Sequence, residues 1–184
     1  MRIISGAAGG IPIACPKSVT RPTSDRVREA LFSIVGNLVS GARVLDLYAG
    51  SGALGLEALS RGAASVVFVE HQKDACRVIE SNIAKTRLEG ATVVSATVES
   101  WLNRRNSTGT FELILADPPY CKSADDTDFA AELLSSAPLP RLLSPTGLMM
   151  METQSNQALP DAPHFEMLDR RVYGSTAVQF FCCR

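Results

Sequence analysis

Short apolar runs alternate with amphipathic segments along most of the chain, and this alternation predicts its architecture. Five runs have the length and composition of buried strands, at residues 44–48, 66–70, 92–95, 113–116 and 148–152. Segments with apolar residues at helical spacing separate them, at residues 53–61, 72–87, 98–105 and 126–136. An earlier helix is expected from the possible caps Thr23, Ser24 and Asp25 to about Gly36. Alternation of this kind favours right-handed βαβ units, and therefore a parallel sheet with helices on both faces.

Both ends of the chain depart from this alternation. Near the C-terminus, the apolar runs at residues 164–169 and 177–181 have no helix between them, and Gly174 supplies a turn, which predicts an antiparallel hairpin. Near the N-terminus, two short apolar runs flank a glycine-rich turn within residues 2–14, which predicts a small β-hairpin. We therefore expect a single α/β domain over residues 1–184, in which a hairpin extension (1–20) precedes a Rossmann-like core (21–184).

Composition and charge describe an ordinary globular protein. Of the 184 residues, 46% are hydrophobic and 20% are charged, and the formal net charge is −1. Because no apolar run could span a bilayer and the N-terminus lacks a signal pattern, we expect a cytoplasmic protein without membrane contact. The five cysteines form no C-x-x-C pair and there are two histidines, which argues against a metal site and a disulfide framework. Basic residues outnumber acidic ones in residues 1–43 and the reverse holds in residues 120–170, so the N-terminal part is better suited to meet phosphates.

One stretch joins a strand to a glycine-rich turn. The first predicted strand carries Asp46 and is followed by Gly50, Gly52 and Gly55, which have the spacing G-x-G-x-x-G. Glycines permit a sharp turn and a close approach of backbone to ligand, and the next helix offers its first N–H groups to an electron-rich group. Glu70 ends the following strand, 20 residues after Gly50, where its carboxylate can accept both hydroxyls of a ribose. The pattern therefore predicts a site for a nucleoside or dinucleotide cofactor.

A second motif, Asp117-Pro118-Pro119-Tyr120, follows the fourth predicted strand. The exocyclic amine of a nucleobase is a poor nucleophile, because its lone pair is delocalised into the ring. The Asp117 carboxylate and the Pro118 carbonyl can accept the amine hydrogens and aim the lone pair at an electrophile. Consecutive prolines stiffen the loop, and Tyr120 offers a ring for base stacking, which contributes about 1–3 kcal/mol per base. The tetrapeptide therefore predicts chemistry on an amine.

Five parallel strands followed by an antiparallel hairpin form the sheet of class I S-adenosylmethionine-dependent methyltransferases, which have a Rossmann-like fold. Within that class, the chain resembles the RsmD-like family, whose members methylate the N2 amine of one guanine in bacterial small-subunit ribosomal RNA. The glycine turn and D-P-P-Y are shared by many amino-methyltransferases, whereas the segment R-P-T-S-D-R-V-R-E-A-L-F at residues 21–32 is far more specific. Matching segments also stand at residues 2–6 (R-I-I-S-G) and 173–178 (Y-G-S-T-A-V).

The resemblance implies S-adenosylmethionine as the cofactor and assigns roles to named residues. The residues that it implies for cofactor binding are Asp46, Tyr48, Gly50, Ser51, Gly52, Glu70, His71, Thr97 and Val98. Those that it implies for holding the flipped guanine are Asp117, Pro118, Pro119 and Tyr120. Those that it implies for RNA contact are Arg2, Arg21, Thr23, Arg26 and Arg28. The apolar pattern of the first helix, marked by Val27, Leu31 and Ile34, also places Arg26 and Arg28 away from the core.

Two positions depart from the family pattern. The N-terminal hairpin turn is usually basic in this family, whereas here residues 7–10 read A-A-G-G. The third strand is usually followed by an acid that meets the adenine amine, whereas the corresponding residue here is Thr97. We therefore expect adenine to be read by backbone groups or by Thr97.

The resemblance implies methylation of guanine N2 in 16S ribosomal RNA, and we expect the protein to be a monomer. The partner is the small ribosomal subunit or its assembly intermediate, because a structured context could reduce the few kcal/mol that base flipping requires. Other functions stay open: methylation of adenine N6 or of a protein glutamine, nicotinamide-dependent oxidoreduction, or RNA binding by an assembly factor without catalysis. Oxidoreduction would leave Asp46 and D-P-P-Y without a role.

Overall fold

The computed structural model describes residues 1–16, 24–104, 110–121 and 126–184. Its helices are α1 (Asp25–Val35), α2 (Ala53–Ser60), α3 (Lys73–Thr86), α4 (Val98–Arg104) and α5 (Phe129–Ser135). Its strands are β1 (Arg43–Leu47), β2 (Ser65–Glu70), β3 (Ala91–Ser95), β4 (Phe111–Ala116), β5 (Leu143–Gln154), β6 (Phe165–Tyr173) and β7 (Thr176–Cys183). Short 3₁₀ helices at Gly36–Val39 and Leu139–Leu142 precede β1 and β5.

The seven strands form one sheet in the order β3-β2-β1-β4-β5-β7-β6. The first five strands in this order are parallel, and β7 runs antiparallel to both β5 and β6. The two-residue turn Gly174–Ser175 joins β6 to β7. The predicted parallel sheet with a C-terminal antiparallel hairpin is therefore confirmed.

Helices cover both faces of the sheet, because alternate residues of each central strand point to opposite sides. On one face, Val44 of β1 packs in a cluster with residues of α1, α2 and α3, such as Leu31 and Ile79. On the other face, Leu45 packs with residues of α4 and α5, such as Leu134. This explains why the central strands read as continuous apolar runs. No helix within the described ranges has the length and apolar character needed to cross a bilayer.

The first residues pair as a short antiparallel hairpin, as the sequence predicts. Arg2 and Pro12 form an isolated β-bridge, and the N–H of Ile3 donates to the carbonyl of Ile11 at 3.0 Å. Pro12 has no N–H to donate, and a position in such a short, peripheral pairing tolerates this loss.

This hairpin is fastened to α2 by hydrogen bonds. The buried carboxylate of Glu57 accepts the N–H groups of Ile4 and Ser5 at 2.7 and 3.1 Å. Gly6 has a φ of 82°, and a Cβ at this position would lie 1.8 Å from the carbonyl oxygen of Ser60. The close approach of the hairpin to α2 therefore requires glycine at position 6.

Candidate active site

Four side chains stand at one level along the carboxyl edge of the sheet. Strands β2, β1, β4 and β5 reach this edge in register through the pairs Leu47–Val69, Leu47–Ala116 and Ala116–Met151. The four paired residues are each followed by a residue with a polar side chain. In chain order these are Tyr48, Glu70, Asp117 and Glu152. Adjacent strands lie about 4.8 Å apart, so this row spans about 14 Å. The sequence identified the first three as candidates. It did not identify Glu152, although Glu152, like Glu70, is an acid at the end of a predicted apolar strand.

The turn after β1 has the backbone conformation that its glycines permit. Gly50 and Gly52 have φ values of 54° and 76°, in the left-handed region that other residues rarely adopt. Gly55 lies in α2, where a Cβ would approach Phe68 to 2.3 Å and Val66 to 2.8 Å. The first two glycines therefore shape the turn, and the third allows α2 to pack closely on β2.

Asp46 supports this turn from inside the protein. Its side chain is 1% exposed, and its Oδ2 accepts the N–H of Gly55 at 2.9 Å. Burial raises the pKa of Asp46 to about 8, the hydrogen bond from Gly55 opposes this shift, and the charge of Glu70 adds to it. In this structure, Asp46 fixes the start of α2, and its burial favours the protonated form of the carboxyl group. Its contact with a cofactor stays a prediction.

Glu70 ties the turn to the end of β2. Its buried carboxylate accepts two backbone N–H groups, Oε2 from Gly50 at 2.9 Å and Oε1 from Gln72 at 2.8 Å. The exposed side chain of His71 places Nδ1 at 3.2 Å from Oε1. Each carboxylate oxygen has two lone pairs, so these two backbone bonds leave acceptor capacity for ribose hydroxyls.

Two further predicted cofactor residues adjoin the same turn. Tyr48 has a φ of 58°, a conformation that costs of order 1–3 kcal/mol and occurs often at functional sites. Its half-buried ring lies 5.9 Å from the ring of Phe129, measured between centroids. Ser51 is buried, and its Oγ lies 3.9 Å from the sulfur of Met1. The turn is therefore flanked by the first residue of α5 and by the N-terminus.

Thr97 and Val98 stand where β3 leads into α4. The Oγ1 of Thr97 accepts the N–H of Ser100 at 3.2 Å and so caps α4, while Val98 is buried at the first position of that helix. A cavity of about 410 Å³ opens beside Val98, between α4 and α5, with Tyr48 and Glu132 in its lining. The capping bond uses one of the two lone pairs of the Thr97 hydroxyl, so the second lone pair and the hydroxyl proton remain for adenine recognition.

The D-P-P-Y loop leaves the sheet beside the glycine turn. The N–H of Asp117 donates to the carbonyl of Leu47 at 3.4 Å, which joins the start of the loop to the end of β1. Pro118 is buried, Pro119 is exposed, and Asp117 and Tyr120 are half-buried. The structure therefore brings the two motifs together at one edge. That these four residues hold a nucleobase stays a prediction.

Tyr120 is held by two residues that sequence reasoning did not identify. Its hydroxyl donates to Oε1 of Glu152 at 2.9 Å and lies 3.3 Å from Oγ1 of Thr176. Burial raises the pKa of Tyr120, the Thr176 hydroxyl opposes the shift, and the carboxylates of Glu152 and Asp117 add to it. The phenol therefore stays protonated at neutral pH and acts as a donor.

The residues predicted to contact RNA occupy different environments. Arg21 and Thr23 lie outside the described residues. Arg26 is exposed on α1, and the side chain of Arg2 is 66% exposed. Arg28, in contrast, is fully buried.

The prediction that Arg28 points away from the core is wrong. Helix α1 buries one stripe of residues and exposes Ile34, and the stripe consists of Val27, Arg28, Leu31, Phe32 and Val35. Nη2 of Arg28 donates to the carbonyl of Arg2 and to Oδ1 of Asp25, both at 2.7 Å. Its guanidinium therefore links α1 to the N-terminal strand, and from this position it does not reach a phosphate.

The fold has close counterparts among solved structures. A candidate methyltransferase from Escherichia coli, yhhF, superposes with a TM-score of 0.81 at 29% identity, with 100% of this chain and 98% of that chain covered. The fold is that of the class I S-adenosylmethionine-dependent methyltransferases.

Within this class, a family model described as "Conserved hypothetical protein 95" matches residues 1–182, and the chain belongs to that family. A relative from Escherichia coli K12, named ribosomal RNA small subunit methyltransferase D, is 32% identical over 183 residues, which cover 98% of this chain and 89% of the relative. YlbH from Bacillus subtilis strain 168, named as a candidate rRNA methyltransferase, is 34% identical over 186 residues, with 98% of both chains covered. The resemblance to RsmD-like proteins is therefore confirmed.

Proposed function

We propose that this protein transfers a methyl group from S-adenosylmethionine to the exocyclic N2 amine of a guanine in 16S ribosomal RNA. One observation carries the proposal: the glycine turn, Glu70 and the D-P-P-Y loop meet at a single level of the sheet edge. Membership of the family and the names of the Escherichia coli and Bacillus subtilis relatives support ribosomal RNA as the substrate.

The residues over β1 and β2 fit S-adenosylmethionine. The remaining acceptor capacity of Glu70 suits the two ribose hydroxyls, and Gly50 and Gly52 keep the turn free of side chains. Thr97 and Val98 would flank adenine. When bound, S-adenosylmethionine supplies a methyl group activated by a sulfonium centre.

Asp117 and Pro118 then orient the amine of the target base. A guanine N2 amine has two N–H donors, and two fixed acceptors favour a more pyramidal nitrogen whose lone pair is directed. The Asp117 carboxylate and the Pro118 carbonyl are these acceptors, and Pro119 restricts the loop that carries them. Good alignment of reactants contributes about 7–11 kcal/mol. The amine becomes acidic as it is methylated, so the Asp117 carboxylate can take up its proton and no strong general base is required.

Tyr120 and two exposed arginines complete the proposed substrate site. The Tyr120 ring stacks on the flipped base, while Arg2 and Arg26 contact RNA phosphates. Because flipping requires a few kcal/mol, a ribosomal context that already exposes the base favours the reaction. We expect the protein to act in the cytoplasm, as a monomer, on small subunits or their assembly intermediates.

The test is transfer of labelled methyl from S-adenosylmethionine to small ribosomal subunits purified from cells that lack this gene. Wild type is compared with Asp117→Ala and with Asp161→Ala, which changes an exposed aspartate in the loop before β6. We expect label in N2-methylguanosine with wild type and the Asp161 control, and a much lower initial rate of labelling with Asp117→Ala. Label in N6-methyladenosine or in protein would contradict the proposed substrate, as would the absence of label despite cofactor binding.

The same assay with naked 16S RNA tests the proposed context. We expect assembled or partly assembled subunits to be methylated faster than naked RNA. A faster reaction on naked RNA would contradict this part of the proposal and leave the chemistry intact.

A further inference from the structure

Glu152 has no role in the chemistry proposed above, yet it stands beside the residues that do. It follows Met151, which pairs with Ala116, and Ala116 precedes Asp117. Its side chain is 4% exposed. Removing a carboxylate from water is expensive unless polar groups compensate for the loss of hydration. The partners of Glu152 therefore indicate why a carboxylate is placed there.

One of these partners is the tyrosine of the D-P-P-Y loop. The Tyr120 hydroxyl donates to Glu152 Oε1 at 2.9 Å, with Thr176 Oγ1 at 3.3 Å from the same hydroxyl. Glu152 pairs across the sheet with Val178, and Thr176 lies two residues from Val178, so both groups project from the same face. The hydroxyl is thus held jointly by strands β5 and β7.

This contact fixes the far end of the tyrosine side chain. The ring direction depends on two side-chain torsions, and a hydrogen bond at the hydroxyl restrains both of them from the end opposite to Cα. Hydrogen bonds to an ionised acceptor are stronger than neutral ones. The carboxylate is anchored in a strand, whereas the tyrosine is carried by a loop, so the strand sets the orientation of the ring.

We propose that Glu152 is a positioning residue for methyl transfer, which acts by holding the Tyr120 ring in the orientation that stacks on the target base. This inference rests on the proposed function. Glu152 acts through Tyr120 and touches neither the base nor the cofactor.

A double-mutant cycle tests this role in single-turnover methyl transfer to small subunits. The variants are Tyr120→Phe, Glu152→Leu and the two combined, with Glu152→Gln as the conservative replacement. Tyr120→Phe keeps the ring and removes the hydroxyl, so we expect the rate to fall about tenfold, the size of one hydrogen bond to a charged group. Glu152→Leu is expected to cause a similar loss, and the double variant no further loss. Glu152→Gln keeps an acceptor and should retain most of the rate.

Cofactor affinity and a remote carboxylate serve as controls. The dissociation constant for S-adenosylmethionine, measured by calorimetry, is expected to stay at the wild-type value in all variants. Glu166→Leu, which changes an exposed carboxylate on β6, should leave the rate unchanged. Circular dichroism shows whether each variant is folded.

Several outcomes would overturn the role of Glu152. Equal losses from Glu152→Leu in the wild-type protein and in the Tyr120→Phe variant would indicate an effect that does not pass through the hydroxyl. If Glu152→Leu does not fold, Tyr120→Phe alone decides, and a wild-type rate with it refutes the proposal. Absence of transfer by the wild-type protein would instead refute the proposed function, and this role with it.

Discussion

The two ends of the carboxyl edge are held together in different ways. Over β1 and β2, the carboxyl groups of Asp46 and Glu70 accept backbone N–H groups of the turn and of the adjoining helix starts. Over β4 and β5, the Glu152 carboxylate accepts a side-chain hydroxyl, that of Tyr120. The first region therefore depends on backbone conformation, and the second depends on which side chains are present.

This difference suits the two proposed ligands. Every residue except proline has a backbone N–H group, so the carboxyl groups of two acids can hold a glycine-rich turn in shape whatever the neighbouring side chains are. A cofactor site can therefore be built from glycines and two acids. Recognition of one base needs a ring and acceptors at defined places, and these can change by substitution. We expect variants at the two ends to separate cofactor binding from methyl transfer.

The largest expected effect is that of Asp117→Ala. Loss of the acceptor for the target amine should lower the single-turnover rate by about 100-fold or more, since misplacement of a reacting group by about 1 Å has a cost of this size. The dissociation constant for S-adenosylmethionine should not change. Calorimetry and rapid-quench kinetics measure the two quantities.

Glu70→Ala is the matched variant at the other end of the edge. It should change the dissociation constant for S-adenosylmethionine more than the single-turnover rate with saturating cofactor. We expect weaker cofactor binding, by about tenfold, because one acceptor for the ribose is lost. Cofactor binding that weakens equally in both variants would remove the distinction between the two ends.

Gly55→Ala tests how closely α2 must lie against β2. An added Cβ would come within 2.3 Å of Phe68 in the core, so we expect the free energy of unfolding to fall by about 1–3 kcal/mol. Urea denaturation measures this loss. Gly9→Ala is the control, because its nearest neighbour would be 3.2 Å away and its φ is not positive. A loss as large in the control would show that tight packing on β2 is not the cause.

Asp46→Asn tests whether the buried carboxyl group is protonated in the folded protein. Its pKa of about 8 lies above the ordinary value of 3.8, so the folded state binds more protons between these values. The contribution of Asp46 to stability is therefore fully present below about pH 4 and is lost as pH rises toward 8, by up to about 1.4 kcal/mol per pH unit. Asparagine keeps an acceptor for Gly55 and should remove this part of the slope. Urea denaturation of the cofactor-free protein across this range measures it, and identical slopes for both proteins would contradict a protonated Asp46.

Arg26→Ala should have the smallest effect. Loss of one phosphate contact would reduce the salt dependence of RNA binding by about one in logarithmic slope, and an exposed site should change stability by less than about 0.5 kcal/mol. Arg28→Met should show the reverse, with stability lower by about 1–3 kcal/mol and an unchanged slope, because its hydrogen bonds are internal. RNA titrations at several salt concentrations and urea denaturation distinguish the two. Equal slopes for wild type and Arg26→Ala would exclude this phosphate contact.

Periodicity predicted the strands and helices of the core, because apolar runs and helical spacing record burial directly. It did not predict the first five residues of β5, where Ser144, Pro145 and Thr146 interrupt the apolar pattern. It also misplaced the buried face of α1. Arg28 lies inside that face because its guanidinium donates to the carbonyl of Arg2 and the carboxylate of Asp25. The spacing of apolar residues along the helix does not reveal such hydrogen-bond partners.

In the candidate site too, the features set by local sequence could be predicted and those set by tertiary contacts could not. The glycine turn, Glu70 and D-P-P-Y were predictable because each is a local pattern at the end of a strand. The role of Glu152 depends on the register of β4 with β5 and on the reach of a tyrosine 32 residues earlier. Neither the strand register nor the reach of this tyrosine can be obtained from one sequence without a structure.

The fastening of the N-terminal hairpin to α2 sets an order of events during synthesis. The N–H groups of Ile4 and Ser5 bind Glu57, which lies 53 and 52 residues later in the chain. At a translation rate of about 5–20 residues per second, Glu57 is made roughly 3–10 s after these two residues. Ile4 and Ser5 therefore complete these hydrogen bonds only after α2 has been made, and a nascent chain that stops before α2 leaves their amides without Glu57 as a partner.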